Sequence, residues 1–363
     1  MNDELDSMPP WNPRPIVGTL WRIGVLLVWS ACGSGSVPDD PPDARAIDAQ
    51  PCLCPHSPSL DEARIVHVTG SVSSSGGFAT DCPAGHTRLG ISCILDSLNT
   101  RPALRNVGLS EYSSPQGPED FLCSWRNRLG PNQDYSGTAI CLPPPEATSD
   151  EGAAPPGCAC PPIEPFEDRL ARAEQAGIVP ANGMVRVASR CEDGTLLVGG
   201  SCLLRFSSTA ADLSSALVSI GFAADGAWEC VWNNQADTQP PGTAVAMCLR
   251  PPSPLHAPEA EPLAERIVRV EDRTVLPAGI IHVEEVTCAP NDFLLWGACT
   301  LETPDESVRE VTILRSGFPR AEQGRTNIWQ CAWNNPTELT PTAIATAVCL
   351  KPLTPSSTES LLR

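Results

Sequence analysis

Residues 228–234 read WECVWNN, and related heptapeptides stand at two other places in the chain. They are FLCSWRN at 121–127 and WQCAWNN at 329–335. In each heptapeptide an aromatic residue, Cys, Trp and Asn occupy every second position. A period of two places these four side chains on one face of a β-strand. The heptapeptide therefore predicts a strand whose Cys and Trp side chains face a core.

Each heptapeptide belongs to a set of four cysteines, and the three sets share their spacing. They are referred to below as the first, second and third cysteine sets: Cys82, Cys93, Cys123 and Cys141; Cys191, Cys202, Cys230 and Cys248; Cys288, Cys299, Cys331 and Cys349. In every set the first two cysteines are 11 residues apart and the last two are 18 apart, while the middle gap is 30, 28 or 32. Fixed spacings on both sides of a variable gap indicate an internal repeat, built of two rigid parts and a tolerant loop.

Short apolar or alternating segments predict further strands around the cysteines. They are Arg64–Val68, Met184–Ala188, Ile280–Val286, Leu89–Leu95, Leu196–Leu204, Phe293–Leu301, Val107–Glu111, Ala216–Phe222, Val308–Leu314, Thr138–Leu142, Thr243–Leu249 and Thr342–Leu350. With the heptapeptides they amount to about five strands per copy. The expected fold is all-β: three tandem, disulfide-stapled, antiparallel β-sandwich or open-barrel modules joined by Pro-rich linkers.

The composition along the chain predicts the domain boundaries. They are a signal peptide at 1–31, a flexible tether at 32–61, module 1 at 62–144, a Pro-rich linker with a short helix at 145–182, module 2 at 183–252, a linker at 253–265, module 3 at 266–353 and a tail at 354–363. The tether is rich in Pro, Asp and Ser and has no periodic apolar pattern, so it cannot bury a core. The helix is expected over 166–176, where Gly177 would end it.

The N-terminal segment is typical of an exported protein. Arg14 and Arg22 precede a nine-residue apolar run, Ile23–Ala31, that is too short to span a bilayer. The small residues before Cys32 resemble the lipobox of bacterial lipoproteins. This resemblance implies lipidation of Cys32 and, since no Asp follows it, anchoring at the outer membrane. A plain secretory signal is the alternative.

Four cysteines allow three pairings, and a family resemblance bears on the choice. The second copy, with SRCEDGTLLVGGSC, GAWECVWNN and GTAVAMCLRP, resembles a small secreted bacterial module. The resemblance implies that the first cysteine of each set pairs with the fourth and the second with the third. The implied bonds are Cys82–Cys141, Cys93–Cys123, Cys191–Cys248, Cys202–Cys230, Cys288–Cys349 and Cys299–Cys331.

Four cysteines remain besides Cys32, and they form two Cys-x-Cys pairs. Cys52 and Cys54 precede the first copy, and Cys158 and Cys160 precede the second. A bond within one Cys-x-Cys is strained, so pairing between the two motifs or with the modules is expected. Four thiolates could instead hold zinc or copper. The 17 cysteines of the chain favour an oxidising compartment, and therefore disulfides.

Charge and motifs exclude several classes of function. The net charge is −19, and Lys351 is the only lysine, so the chain lacks the basic surface that nucleic acids need. It has no G-x-S-x-G, H-E-x-x-H or phosphate-loop motif, and neither a catalytic site nor a cofactor is expected. The motif residues are interpreted as structural: Trp125, Asn127, Trp232, Asn234, Trp333 and Asn335.

Two functions are compatible with these features. The first is a non-enzymatic lipoprotein of the bacterial cell envelope that acts as a spacer or protein-contact scaffold and touches the membrane only through its N-terminal lipid. The second is a surface protein that binds glycans or peptides through several linked copies. Glycan binding usually needs an exposed aromatic platform. Trp296 is the one tryptophan of the predicted mature chain that lies outside the heptapeptides.

Overall fold

The structure is a computed structural model that describes the chain in ten segments. These are residues 64–72, 75–80, 82–95, 103–109, 121–126, 133–142, 166–204, 215–251, 263–317 and 327–352. All of them belong to one compact unit, Cys52–Arg363. Several predicted features lie outside the described residues: the signal peptide, Cys32, the tether, Cys52, Cys54, Cys158, Cys160 and Asn127.

The described part of the chain is nearly all β, which confirms the predicted class. The first cysteine set lies in and beside β1 (Arg64–Val72), β2 (Ser75–Thr80), β3 (Thr87–Leu95), β4 (Ala103–Leu109), β5 (Phe121–Arg126) and β6 (Gln133–Leu142). The second set is accompanied by β7 (Leu170–Ile178), β8 (Met184–Ser189), β9 (Leu196–Leu204), β10 (Ser215–Phe222), β11 (Trp228–Asn234) and β12 (Pro241–Leu249). The third set is accompanied by β13 (Ile267–Val275), β14 (Ile281–Thr287), β15 (Phe293–Leu301), β16 (Thr312–Gly317), β17 (Ile328–Asn334) and β18 (Thr342–Leu350).

Within each cysteine set the six strands form two antiparallel trios. In the first set β6 lies between β1 and β3, and β5 lies between β2 and β4. The second set repeats this order with β12 between β7 and β9 and β11 between β8 and β10. The third repeats it with β18 between β13 and β15 and β17 between β14 and β16. The heptapeptide strands β5, β11 and β17 are thus central strands, as their apolar alternating face requires.

Strands of different sets pair to complete larger sheets. β4 pairs with β9, β10 with β15, and β16 with β3. Each of the three resulting six-stranded sheets contains one trio from each of two sets. Since every set shares a sheet with both others, the three sets form a closed arrangement.

This arrangement differs from the expectation of separate tandem modules. A lone set would leave β3 and β4, or their counterparts, as sheet edges with unpaired backbone groups. In the structure those edges are paired with strands of another set. The three sets, each of two trios, therefore complete one another's sheets, and the described strands belong to one body.

The helix expected over 166–176 is wrong beyond its first turn. Helix α1 covers only Phe166–Arg169, and the chain continues directly into β7. All nine residues of β7 pair with β12, from Leu170 opposite Leu249 to Ile178 opposite Pro241. The residues of this segment favour a helix, but the full ladder of backbone hydrogen bonds with β12 outweighs that helix propensity. β7 also lies within 145–182, which the sequence had assigned to a linker.

Within the described segments each set has six strands rather than about five. The prediction missed β2 and β13 as well as β7. β2, β7 and β13 are edge strands of their sheets. An edge strand alternates weakly because much of its surface meets solvent, and β7 and β13 indeed share a burial pattern of half-buried and exposed residues.

Helices make a small contribution to the described part. Besides α1 there are α2 (Leu263–Arg266) and a 3-10 turn at Glu306–Val308. None of the helices in the described segments is long and apolar enough to cross a membrane.

Candidate functional site

The six disulfides among the described residues lie in or against the core and join the pairs that the resemblance implied. The first cysteine of each set is bonded to the fourth and the second to the third, with Cα atoms 5.6–5.7 Å apart. The second-to-third bond of each set links its two trios, for example Cys202 on β9 to Cys230 on β11. Both of these sulfurs are fully buried. The cysteines of the sets are thus structural staples across the two layers.

The motif tryptophans are buried and connect different cysteine sets. Trp125 of the first set donates its indole N–H to the carbonyl of Leu314 in the third, at 3.3 Å. Trp232 of the second set donates to the carbonyl of Arg105 in the first, at 3.2 Å. Leu314 and Arg105 are the residues at which β16 and β4 are bulged. A bulge leaves a carbonyl outside the ladder, and the indole uses it.

Trp333 departs from this rule. It is as deeply buried as the other two, yet its indole N–H has no hydrogen-bond partner among the described residues. The corresponding bulge in β10 lies between Leu217 and Ser219. The contact between the third and second sets therefore lacks the indole bond found at the other two.

The motif asparagines fasten loops to strand ends. The side-chain NH2 of Asn234 donates to the carbonyls of Pro180 and Thr238, and its oxygen accepts from the Ser215 hydroxyl. Asn335 holds the equivalent loops of the third set through Pro277 and Leu339. Both asparagines are 1% exposed. These contacts are of the structural kind expected of an Asn at a turn.

Glycines at the sheet junctions were missed by sequence reasoning. A Cβ at Gly221 on β10 would lie 2.4 Å from the Cβ of Ala298 on β15, and one at Gly317 on β16 would lie 2.2 Å from that of Ser92 on β3. Strands can approach this closely only when one has no side chain. The signal was present in the sequence, because Gly108 stands at the same position of the first copy.

Trp296 lies where the three sets meet. Its ring carbons lie 2.6 Å from the Cβ position of Gly90 in the first set and 2.4 Å from that of Gly199 in the second. Gly90, Gly199 and Trp296 each stand three residues before the second cysteine of their set. One indole thus fills the space that two glycines leave open. Trp296 is 3% exposed, so it offers no aromatic platform to a ligand.

A polar cleft opens between the second and third cysteine sets. Its volume is about 330 Å³. Its walls are residues 190–195, Leu197, Asp225 and Gly226 of the second set and Arg269 of the third. The floor contains Cys191, which is bonded to Cys248. The loop 192–195 is a tight turn, in which Thr195 donates backbone and hydroxyl hydrogen bonds to the Glu192 carbonyl.

Arg269 crosses the boundary between the two sets. Its guanidinium carbon lies 3.8 Å from the centre of the Phe222 ring, and Nη2 donates to the Leu197 carbonyl at 3.1 Å. Phe222 in turn packs edge-on against Trp228. Burial lowers the pKa of Arg269, an effect that Glu271 opposes. The side chain is therefore fixed by a ring and a carbonyl.

Acidic groups lie on the other side of the cleft. Asp225 forms an ion pair with Arg190 and accepts the Ala227 N–H at 3.2 Å. Glu229 on β11 does not line the cleft but is buried near Asp225, and burial raises the pKa of its carboxyl. Arg186, whose Nε is 3.2 Å from the Glu229 carboxylate, opposes that shift, and Asp225 adds to it. The cleft thus combines a fixed cation with carboxylates at its rim.

One histidine has a hydroxyl and a carboxylate beside it. His282 Nε2 lies 3.2 Å from Thr274 Oγ1 and 3.1 Å from Glu284 Oε2. A relay of the Ser-His-Asp kind uses the two ring nitrogens for two different partners. Here both partners meet the same nitrogen, so the trio lacks that geometry.

Metal ligands are not clustered in the described segments. No group of three or more His, Cys, Asp or Glu side chains is placed there to hold an ion. The two Cys-x-Cys pairs lie outside those segments. A zinc site at those pairs stays a hypothesis.

Comparison with known proteins gives no relative on which to base a function. No protein-family model matches the sequence, and no curated protein matches it significantly.

Proposed function

We propose that the protein is a non-enzymatic lipoprotein of the bacterial cell envelope whose three repeated copies close into one head that serves as a contact scaffold. The observation that carries this proposal is the identical register of the three junctions. Val107 opposite Cys202, Ile220 opposite Cys299 and Ser316 opposite Cys93 are equivalent positions in the repeat. Three copies that complete one another's sheets act as one object.

A closed head favours the scaffold over the spacer. A spacer gains reach from modules arranged end to end, whereas here each set shares a sheet with both others. The six disulfides tie the layers of every set and favour an extracellular or envelope environment. A disulfide-linked head, in which one edge of every trio is paired with a strand of another set, suits a surface that must keep its shape outside the cell.

The proposed anchor is the lipid on Cys32, with residues 32–61 as the tether. The argument is that of the sequence: a short apolar run followed by small residues and a cysteine. Fractionation of cells expressing the parent and Cys32→Ser tests it. We expect the parent in the membrane fraction and the variant in soluble form. Equal membrane partitioning of the two would refute the anchor.

The scaffold is tested by cross-linking in intact cells. The anchored parent protein is compared with a variant in which Cys202 and Cys230 are both alanine, which loosens one set but keeps the anchor. We expect defined cross-linked partners with the parent and fewer with the variant. An absence of any reproducible partner, with both proteins present at equal amounts, would count against a scaffold.

A second candidate function is binding of glycans or peptides at the head. The observation that favours it is the cleft between the second and third sets, because about 330 Å³ lies within the range of small-ligand pockets. A glycan array probed with the fragment 61–363 tests it. Binding of a defined class of glycan would support this candidate function. An array without binding would exclude the glycans on it as ligands of the head.

A further inference from the structure

We propose that the cleft between the second and third cysteine sets binds a carboxylate-bearing saccharide, such as a uronic-acid unit, and that Arg269 holds the carboxylate. The proposal deepens the second candidate function, binding at the head, and rests on it. It assigns a ligand class and a contact residue to the cleft.

The first argument is the state of Arg269. An arginine side chain has five N–H donors in a rigid fork. The Leu197 carbonyl takes one of them, and Phe222 covers one face of the guanidinium. Among the described residues no carboxylate lies within ion-pair distance of Arg269, whereas Arg186 and Arg190 are both paired.

The second argument is preorganisation. A guanidinium held by a ring and a carbonyl loses little freedom when it binds a ligand. The side chain is nonetheless exposed, so the N–H groups that these two contacts leave over are open to a ligand. A carboxylate can accept two parallel hydrogen bonds from these N–H groups.

The third argument is the opposite rim, which selects the kind of anion. Glu192 and Asp193 are exposed there, and Asp225 is already paired with Arg190. A simple anion would be repelled by these carboxylates. A saccharide that bears both a carboxylate and hydroxyls can direct the first toward Arg269 and donate hydrogen bonds from the second to the rim.

The fourth argument is space. Gly194 and Gly226 have no atom within 4 Å of the place where a Cβ would stand, so their turns leave the entrance open. The cavity volume of about 330 Å³ accommodates a ligand of sugar-unit size rather than a bare ion. Because Arg269 comes from the third set and the remaining walls from the second, the site exists only in the closed head.

The test measures binding to the full chain by calorimetry. The probes are an oligogalacturonate and the same oligosaccharide with its carboxyls reduced to alcohols. A poly-glutamate peptide serves as a third probe. We expect the oligogalacturonate to bind and the reduced oligosaccharide to bind at least about tenfold more weakly, as expected for loss of a charge-assisted pair.

Variants assign the binding to the cleft. Arg269→Ala and Arg269→Lys should each weaken binding, Ala by about tenfold or more and Lys less, since Lys keeps the charge but not the fork. Arg273→Ala is the matched control, because Arg273 lies on the same strand and is paired with Glu302 outside the cleft. It should change affinity less than about twofold. Asp193→Trp places a large side chain at the entrance, leaves Arg269 itself unchanged and should also weaken binding.

Several outcomes would overturn the proposal. They are no binding of the oligogalacturonate, equal binding of its reduced form, tighter binding of the peptide, or unchanged affinity in both Arg269→Ala and Asp193→Trp. Thermal unfolding of each variant shows whether it is folded. If Arg269→Ala does not fold, the binding affinity of Asp193→Trp decides whether the ligand occupies the cleft. Binding of a neutral glycan that none of these variants affects would keep the glycan function and remove the cleft from it.

Discussion

At the sheet junctions the chain uses the same residue type three times, whereas at the point where the three sets meet it uses different ones. Gly108, Gly221 and Gly317 occupy equivalent junction positions. The central position holds two glycines and Trp296. The repeated glycine fits a contact that each copy makes with its neighbour. The central position differs between copies because all three share one space, which has room for a single indole.

This difference separates two levels of specificity. The junction glycines would allow three identical copies to pair in any order. Three tryptophans at the centre would overfill it, and three glycines would leave a void, each at a cost to stability. The unequal central residues therefore favour one copy of each kind in the closed head. They make the internal repeat unsuited to exchange with copies of itself.

The largest expected effect on stability comes from changing the residues Gly199 and Trp296 where the three sets meet. Gly199→Trp puts a second indole where Trp296 already stands, and we expect this overpacking to cost about 3 kcal/mol or more in free energy of unfolding. Trp296→Gly leaves a cavity and should cost about 3–5 kcal/mol in free energy of unfolding. The double variant restores a single indole and should be more stable than the sum of the two changes predicts, by about 2–3 kcal/mol of coupling. Chemical denaturation under oxidising conditions measures all three.

The control for the centre is Gly90→Ala, which adds one methyl group beside the same indole. Its cost should lie well below that of Gly199→Trp. Additive effects in the double variant would contradict a shared central space.

The next effect concerns the junctions. Gly221→Ala puts a Cβ 2.4 Å from that of Ala298 at a residue with φ of 152°, so the two sets must separate. We expect a cost of about 2–4 kcal/mol from strain and overpacking. Gly226→Ala is the matched control, since its φ is 81° and no atom lies near its Cβ position. It should cost about 1 kcal/mol. Equal melting temperatures for the two variants would argue against close packing at the junction.

The sequence predicted the strands that carry a full alternating face and the cysteines that face the core. β9, β15 and β18 have the predicted bounds, and β11 coincides with its heptapeptide. The expected all-β class follows from such segments. Local period and spacing carry this information because it concerns neighbouring residues.

What the sequence analysis did not predict depends on contacts between distant copies. β7 was expected to be helical because its residues favour helices, and only its pairing with β12 makes it a strand. The sequence analysis did not predict that the sets share sheets, although Gly108, Gly221 and Gly317 repeat at the positions where their strands meet. Trp296 was the one tryptophan of the predicted mature chain that no heptapeptide placed in a core, and its burial follows from glycines more than 90 residues away in the chain. No local pattern reports a space shared by three separate segments.

A smaller effect compares two otherwise equivalent contacts between sets. Trp232→Phe removes the indole bond to the Arg105 carbonyl and should cost about 1 kcal/mol more than Trp333→Phe, whose indole N–H has no partner among the described residues. Both changes remove the same ring area, so their difference isolates the hydrogen bond. Denaturation midpoints with unchanged slopes give that difference. A larger loss for Trp333→Phe would show that the third contact between sets does not lack its bond.

The smallest effect is a pH dependence of stability at Glu229 on β11. Burial raises the pKa of Glu229 above that of an exposed glutamate, so the native state binds this proton more tightly than the unfolded chain does. The resulting stabilisation is complete below the ordinary carboxyl pKa and is lost as the pH rises through the raised one. Glu229→Gln, which places there the residue that Gln330 supplies in the third set, should flatten this loss between about pH 4 and 8. Its gain at neutral pH is reduced because the ion pair with Arg186 is also removed. Melting curves across that range measure the change, with the exposed Glu310→Gln as control. A steeper decline in Glu229→Gln than in the parent would reverse the sign argued here.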